Sequence, residues 1–398
     1  MDLLLTGIFS ATVNFADILI NVIAVEIGMN VIEIGLLNAA WVFFYVFSLR
    51  FFEKLHEARK TKTPLVYSVL PFFISGVLTY VSLQFRETSF IYLAYIFHAV
   101  SSAASNIGIN SYVLEAYSSL KWQKALSTRN TYSQIIEATM YMMCYLVGID
   151  FLLPNYLLLI ALLVSMLVLI ALRLRLTMSI PERTLFRIEK QVSQILRPAK
   201  GLYYLTSLQD YGIATGMASW YVRRSSIFIP LLSIAGLKLG NEFLLTPLPY
   251  ILLKSAGLSG NVLMIIYSLG KFVSGVSLVL LGASLYSTRL TRWSTILRLL
   301  ALPGIFLVKS PIILGLLLGL FYTVSVILEL NTYWLYINIT AGESISTYSA
   351  VSASSSLVGS LLSGGIYALS GVGGLVVANI MVLLPVFAEL REMRHIEW

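Results

Sequence analysis

Polar and ionisable side chains occur at helical spacing inside segments that are otherwise apolar. Asn14, Asp17 and Asn21 are separated by three and four residues, so they lie on one face of a helix. An ionised side chain within a lipid bilayer costs a few kcal/mol on insertion scales, and it usually faces a helix-bundle interior or a water-filled cavity. The other residues of this kind are His98, Asn106, Asn110, Glu137, Lys238, Asn241, Glu242, Lys271, Glu329 and Tyr333. We interpret the whole set as candidate functional residues.

Motifs for covalent, metal-assisted or nucleotide-driven chemistry are missing from the sequence. It contains no His-Glu-x-x-His helix, no Gly-x-Ser-x-Gly elbow, no paired-aspartate loop and no Gly-rich loop followed by Lys-Ser or Lys-Thr. We therefore expect that the protein is not an enzyme, is not an ATP-driven pump by itself, and needs neither a metal nor a cofactor.

The elements that must position these residues are long apolar segments. Hydrophobic residues make up 58% of the chain and charged residues only 12%, which is more apolar surface than a soluble core can bury. About 20 apolar helical residues cross a bilayer, and backbone groups in lipid must be hydrogen-bonded within the segment. The sequence therefore predicts an all-α integral membrane protein with twelve transmembrane helices at about 3–27, 31–52, 64–84, 88–112, 131–149, 154–176, 225–253, 260–283, 293–308, 310–337, 345–369 and 371–390.

Basic residues indicate how the segments are oriented, because cytoplasmic connections retain Lys and Arg. Alternate connections are rich in these residues, including the one assigned Arg289, Arg292 and Arg298, whereas the opposite connections contain only Arg86, Lys254 and Lys309. This asymmetry predicts a multi-pass protein of the cell membrane with both termini in the cytoplasm. It also accounts for the net charge of +8, so the composition requires no nucleic-acid partner.

One long connection divides the chain. Residues 177–224 form the predicted cytoplasmic linker, within which 182–197 has the pattern of an amphipathic helix lying on the membrane surface. Residues 202–222 are apolar enough for a thirteenth crossing, but a crossing there would place every later basic connection on the wrong side. The predicted domains are therefore 1–176 and 225–398, with six helices each.

The two predicted domains also resemble each other. A shift of 229 residues brings Gly28-Met-Asn30 onto Gly257-Leu-Ser259 and superposes the spacing of the apolar segments that follow. Parallel repeats related by an axis along the membrane normal are an architecture of secondary transporters.

With six plus six segments and a long linker, the chain resembles the major facilitator superfamily over essentially its whole length. The resemblance includes the passages Ala24-Val-Glu-Ile-Gly28 and Pro247-Leu-Pro-Tyr250. Family members carry a loop signature after the second segment, approximately Gly-x-x-x-Asp-Arg-x-Gly-Arg-Arg. Here that region lacks both glycines; its candidate gating residues, acidic and basic in turn, are Glu53, Glu57, Arg59 and Lys60.

The resemblance implies a role for the polar residues. In the superfamily the first, fourth, seventh and tenth segments line a central cavity, and most of the candidate residues fall on these four segments. Glu137 and Lys271 fall on the fifth and eighth segments, which are expected to rock against each other. Asp17, Glu137 and Glu329 are candidates for proton carriage, because a carboxyl group in a low-dielectric site can hold and exchange a proton.

Structural roles remain open for the same residues. Lys238 and Glu242 are one helical turn apart and can neutralise each other. Asp17 can pair with Lys271 or His98, and His98 can be a packing residue. Glu137 can instead anchor the connection that holds Arg129.

The expected function is that of a secondary transporter that moves a small organic solute by alternating access, with coupling to protons left open. The expected partners are the lipid bilayer and the solute, and the expected state is a monomer. The alternatives are a non-transporting sensor or assembly protein with a transporter-like fold, and an intramembrane lipid-modifying enzyme.

Overall fold

The protein was analysed as a computed structural model, which describes residues 2–59, 63–116, 122–174, 228–281, 288–340 and 345–393. The predicted linker, its amphipathic helix and the rejected segment 202–222 lie outside the described residues. So does Lys60, and of Glu53, Glu57 and Arg59 only the helical backbone is described.

The described part of the chain is helical throughout its regular structure. The first half, which we define as residues 2–174, contains α1 Asp2–Glu26, α2 Val31–Arg59, α3 Thr63–Phe85, α4 Thr88–Ala116, α5 Trp122–Val147 and α6 Tyr156–Arg173. A single turn, Ile149–Leu152, precedes α6. The second half, residues 228–393, begins with α7 Phe228–Leu245, α8 Gly260–Leu281, α9 Thr288–Leu307 and α10 Pro311–Thr340. It ends with the helical run Ile345–Val382 and the helix Leu384–Met393.

Ten helices of the described residues are long and apolar enough to cross a membrane. Their outward faces carry large apolar side chains: Phe43, Phe47 and Phe51 of α2 are 57%, 69% and 59% exposed. Because the three are spaced by four residues, they form one stripe that faces lipid. The helix α5 is absent from the ten because its first turns contain Lys124, Arg129 and other polar residues, yet it packs between α1 and α8.

The run Ile345–Val382 is two helices rather than one. Gly371 has non-helical backbone angles, φ 62° and ψ −156°, and we name the parts before and after it α11 and α12. Ser360 of α11 contacts Glu242 of α7, and Tyr367 contacts Ser255. Residue numbers therefore increase together on the two sides of these contacts. After Gly371 the order is reversed, because Asn379 contacts Gly240 and Pro385 contacts Ser233. The chain therefore turns back at Gly371, and α11 and α12 run in opposite directions.

The internal repeat is visible in the backbone. Gly28 and Gly257 both have positive φ, 110° and 66°, and each ends the first helical region of its half. The next helix then starts with a side-chain cap in both halves. Asn30 Oδ1 accepts hydrogen bonds from the backbone N–H groups of Ile32 and Glu33, and Ser259 Oγ accepts one from Val262. The motif match predicted from the sequence is thus a shared turn that needs glycine, followed by a capped helix.

Prolines interrupt the helical region that begins with α7. The helix ends at Leu245, a short turn Leu248–Tyr250 follows, and Ile251–Ser255 forms a π-helical turn. Pro247 and Pro249 lack the N–H groups that a continuous helix requires, so the break follows from their positions.

One assignment from the charge pattern was wrong. Arg298 was counted with Arg289 and Arg292 in a cytoplasmic connection, but it lies within α9 and is fully buried. Its Nη1 donates to Ser325 Oγ at 2.8 Å, and its guanidinium lies 4.7 Å from the centroid of the Phe321 ring. Burial of an arginine against an aromatic face and a hydroxyl makes it a packing element of the second half.

The two halves meet along two helix pairs, α2 with α11 and α5 with α8. In the first pair, Gly35 lies against Ser360 and Gly364 against Val31, so the backbones approach closely. In the second pair, Ser268 Oγ donates to the carbonyl of Ala138, and Asn261 Oδ1 accepts from the backbone N–H of Ile149. The contacts between Gly35 and Gly364 and between Ile149 and Asn261 lie near the membrane face where α1 and α5 end.

Candidate functional site

A cavity of about 340 Å³ lies between α1, α2, α4 and α5, and the second half closes it with Leu278 and Val326. It extends from Asp17, near the middle of α1, towards Ser10 and Arg129, on the face where α1 and α5 begin. Its other polar lining residues are Asn14, Tyr45, His98, Ser102, Ser105, Asn106, Asn130, Ser133 and Gln134. The cavity thus opens away from the face at which the halves touch most closely.

The deep end of the cavity is built around Asp17. The Tyr95 hydroxyl donates to Asp17 Oδ1 at 2.5 Å and accepts from Asn21 Nδ2 at 2.6 Å. His98 Nε2 lies 3.8 Å from Asp17 Oδ1. The Asp17 side chain is 36% exposed, whereas His98 is 1% exposed. The carboxylate is therefore accessible from the cavity, and the imidazole is almost completely buried.

Aromatic rings form one wall at this end. Trp41 and Tyr45 are stacked with ring centroids 4.9 Å apart and planes at 10°, and His98 stacks on Tyr95 at 5.9 Å and 9°. Trp41 and Tyr45 are four residues apart on α2, which is why they share a face.

At the mouth of the cavity, two asparagine side chains and an arginine are linked by hydrogen bonds. Asn106 Nδ2 donates to the Tyr45 hydroxyl at 2.6 Å, and Asn110 Nδ2 donates to Asn106 Oδ1 at 2.6 Å. Arg129 Nη1 then donates to Asn110 Oδ1 at 2.7 Å. The Asn106 and Asn110 pair therefore connects Arg129 to the aromatic wall.

Glu137 and Lys271 form an ion pair between the halves. Glu137 Oε2 lies 2.7 Å from Lys271 Nζ, and the Glu137 side chain is completely buried. Asn14 and Ser133 donate to the other carboxylate oxygen at 2.8 and 3.0 Å. The pair between Glu137 and Lys271 was not among the alternatives drawn from the sequence. Of the two partners considered for Asp17, the structure places His98 near it.

The charges of the second half pair differently from the sequence interpretation. Lys238 Nζ lies 2.7 Å from Glu329 Oε2, and Asn241 Nδ2 donates to Glu329 Oε1 at 2.8 Å. The neutralisation of Lys238 by Glu242 was wrong, because Glu242 instead accepts from Thr246 and Ser360 at 2.8 and 2.9 Å. A partner on another helix lies closer to Lys238 than the carboxylate one turn along its own helix.

Tyr333 does not line the cavity. It packs against Tyr348, with ring centroids 5.1 Å apart, in a cluster that includes Ile234 and Tyr336. The candidate residues thus fall into three groups, namely the cavity, the ion pair between the halves and the charge pair of the second half. Tyr333 and Glu242 belong to none of them.

Sequence reasoning missed several residues of the site. Asn38, Trp41 and Tyr45 lie on α2, which was not expected to line the cavity, and Asn38 Nδ2 donates to Asn21 Oδ1 at 2.8 Å. Tyr95 was missed because a tyrosine in an apolar segment carries no charge signal. Its position three residues before His98 is the feature that could have identified it.

No protein-family model matches the chain, and no curated protein sequence matches it. Solved structures do match. The inward-open conformation of the xylose transporter XylE from E. coli has a TM-score of 0.62 at 13% identity, covering 97% of this chain and 92% of that chain. A D-xylose-proton symporter has a TM-score of 0.60 at 16% identity, covering 97% and 94%.

This chain has the major facilitator superfamily fold. The similarity extends over almost the full length of both proteins, and both known proteins are transporters by description. It confirms the fold and the multi-pass membrane architecture expected from the sequence. At 13% and 16% identity, the major facilitator fold is what the two proteins share with this chain.

Proposed function

We propose that the protein is a secondary transporter that moves a small organic solute across the cell membrane by alternating access. The observation that carries the proposal is the polar cavity between four helices of the first half, closed by residues of the second half. A solute bound there would pass from one face to the other if the two halves rocked against each other, the motion for which a pair of repeats with a site at their interface is suited.

The charge pattern supports an orientation in which the cavity faces the cytoplasm. The basic connections favour an orientation with both termini on the cytoplasmic side, and the cavity extends towards the face where α1 begins. The described conformation would then be inward-facing.

Proton coupling is assigned to Asp17. Glu137 and Glu329 each lie 2.7 Å from a lysine, whereas no Lys or Arg of the described residues lies within 4 Å of Asp17. A carboxyl group that is open to the cavity and lacks a cationic partner can alternate between the protonated and ionised forms as access alternates.

The test is transport by the purified full-length protein in liposomes that contain a pH-sensitive dye. Pools of sugars, amino acids, peptides and organic cations would be added with and without an imposed pH gradient. We expect one class of solute to drive proton movement, and we expect Asp17→Asn to abolish it. Asp150→Asn, which changes an exposed carboxylate outside the cavity, should behave like the unchanged protein. Absence of solute movement from folded protein across all pools would contradict the proposal and favour a sensor or assembly role.

A further inference from the structure

The two charged side chains that line the cavity are opposite in sign. Lys238 with Glu329 and Lys271 with Glu137 neutralise each other within 2.7 Å. The cavity lining itself contains one carboxylate, Asp17, and one guanidinium, Arg129. Within the described residues neither has a partner of opposite fixed charge within 4 Å, His98 being a partner of Asp17 only when protonated. A ligand that satisfied both would carry a positive and a negative group.

The deep end suits an ammonium group. The Asp17 carboxylate is exposed to the cavity beside the stacked rings of Trp41 and Tyr45. A carboxylate next to aromatic faces attracts a cation through both charge and the ring quadrupole.

The mouth suits a carboxylate. Arg129 donates only to side-chain amide oxygens of Asn110 and Asn130 in the described residues. These contacts hold the guanidinium in place without neutralising it. A fixed guanidinium binds a carboxylate through parallel N–H donors.

The distance between the two ends sets the length of the ligand. His98 contacts Asp17, and Asn110 contacts Arg129. These two residues of α4 are twelve positions apart, which corresponds to a rise of about 18 Å. An extended peptide of four residues spans about 14 Å, and the side chains of Asp17 and Arg129 shorten the remaining gap. A single amino acid is too short to reach both.

The middle of the cavity suits the amide groups of such a ligand. Between the two charged ends the polar part of the lining consists of hydroxyl and amide side chains on α1, α4 and α5, beside the apolar side chains of Val13, Ile109, Leu278 and Val326. The polar residues are Asn14, Ser102, Ser105, Asn106 and Ser133. Groups of this kind donate to carbonyl oxygens and accept from N–H groups.

We propose that the substrate is an elongated zwitterion of the class of a short peptide, with its ammonium group at Asp17 and its carboxylate at Arg129. This proposal rests on the transport function proposed above and names its substrate class.

The experiment measures binding to the purified full-length protein by isothermal titration calorimetry. The probe is tetra-alanine in four forms: free, N-acetylated, C-amidated and blocked at both ends. Each block removes one charge and leaves the chain length almost unchanged. The loss of a hydrogen bond to a charged group lowers affinity by about tenfold or more. We therefore expect the free peptide to bind at least about tenfold more tightly than either singly blocked form.

Two variants test which side chain binds each end of the peptide. Asp17→Asn should remove the preference for a free N-terminus and keep the preference for a free C-terminus. Arg129→Gln should do the opposite. Asp150→Asn and Arg292→Gln change exposed charges outside the cavity and should leave both preferences intact. A variant that lost binding of all four forms together would contradict the assignment of its end.

Equal affinity for the four peptides, or binding of D-xylose without binding of peptide, would overturn the proposal. The transport assay separates its failure from that of the proposed function. Transport of another solute class with inert peptides would leave the transporter in place and remove the peptide class. Selective peptide binding without any transport would support the proposed peptide site and contradict the proposed transport function.

Discussion

At the residue scale, the membrane-embedded charges of this protein are distinguished by their partners. Glu137 and Glu329 are both paired with lysines, and Glu242 accepts from hydroxyl groups. Asp17 instead accepts from the hydroxyl group of Tyr95, and about a third of its side chain is exposed. Four acidic residues in similar apolar segments therefore occupy different electrostatic environments. The packing of the helices decides which of these carboxylates lies next to a lysine and which does not.

Arg298 gives a prediction at this scale. Arg298→Ala should destabilise the protein by about 2 kcal/mol, because it removes a completely buried side chain and leaves a cavity next to Phe321 and Ser325. The measurement is thermal unfolding of the purified protein in detergent. Arg292→Ala is the matched control, since Arg292 is exposed on the same helix and should change stability by less than about 0.5 kcal/mol. Equal effects of the two substitutions would show that Arg298 is not a packing residue.

At the element scale, the ion pair between α5 and α8 connects the helices that the superfamily resemblance expects to rock. Glu137→Gln or Lys271→Met alone should cost about 3 kcal/mol, because each leaves the other partner buried without its counter-charge. The double substitution should cost clearly less than the two single losses together. A double-mutant cycle of thermal unfolding measures this coupling. Additive losses would mean that the two side chains do not act as a pair.

The turn between α11 and α12 gives a second prediction at this scale. Gly371→Ala should destabilise the protein by about 1–3 kcal/mol, because the backbone angles at this turn belong to a region that is essentially restricted to glycine. Gly373→Ala is the control, since a Cβ at position 373 would contact nothing within 4 Å. Thermal unfolding and size-exclusion profiles of the two variants compare them directly. Similar profiles would indicate that the turn does not require glycine.

At the scale of the whole molecule, the halves touch on one membrane face and enclose a cavity that extends towards the other. Together with the positive charge of alternate connections, this arrangement predicts accessibility from the cytoplasm. In a Cys144→Ala background, Ser102→Cys in the cavity lining should react with a membrane-impermeant thiol reagent in inside-out vesicles and stay unreactive in right-side-out vesicles.

The control for this experiment is Ala256→Cys, which lies in the exposed turn after α7. It should be labelled in right-side-out vesicles and protected in inside-out vesicles. The reverse pattern for both positions would invert the predicted topology. Labelling of Ser102→Cys from the outside alone, with Ala256→Cys as expected, would instead mean that the cavity opens outward.

The sequence by itself determined the helices and their order. Length and apolar composition decide where a chain can cross a bilayer, because every crossing must satisfy its own backbone hydrogen bonds. Most predicted boundaries therefore lie within about five residues of those of α1 to α10. The exceptions are the end of α2 at Arg59, the start of α5 at Trp122 and the end of α7 at Leu245. Even the division at Gly371 was drawn correctly, since a single run of that length is about twice what a bilayer requires. The repeat signal at Gly28 and Gly257 was also local, because a turn with positive φ selects glycine wherever it occurs.

Only the tertiary structure decided which charges meet. Lys238 has a carboxylate one turn away on its own helix, yet it pairs with Glu329 on α10. Arg298 is positioned by a ring on α10 rather than by a cytoplasmic connection. Helical periodicity specifies the face of the helix on which a residue lies. It does not specify how the helix is rotated in the bundle or which helix packs against that face. Those are set by the packing of whole helices against each other. For the same reason α2, which was not expected to line the cavity, supplies its aromatic wall.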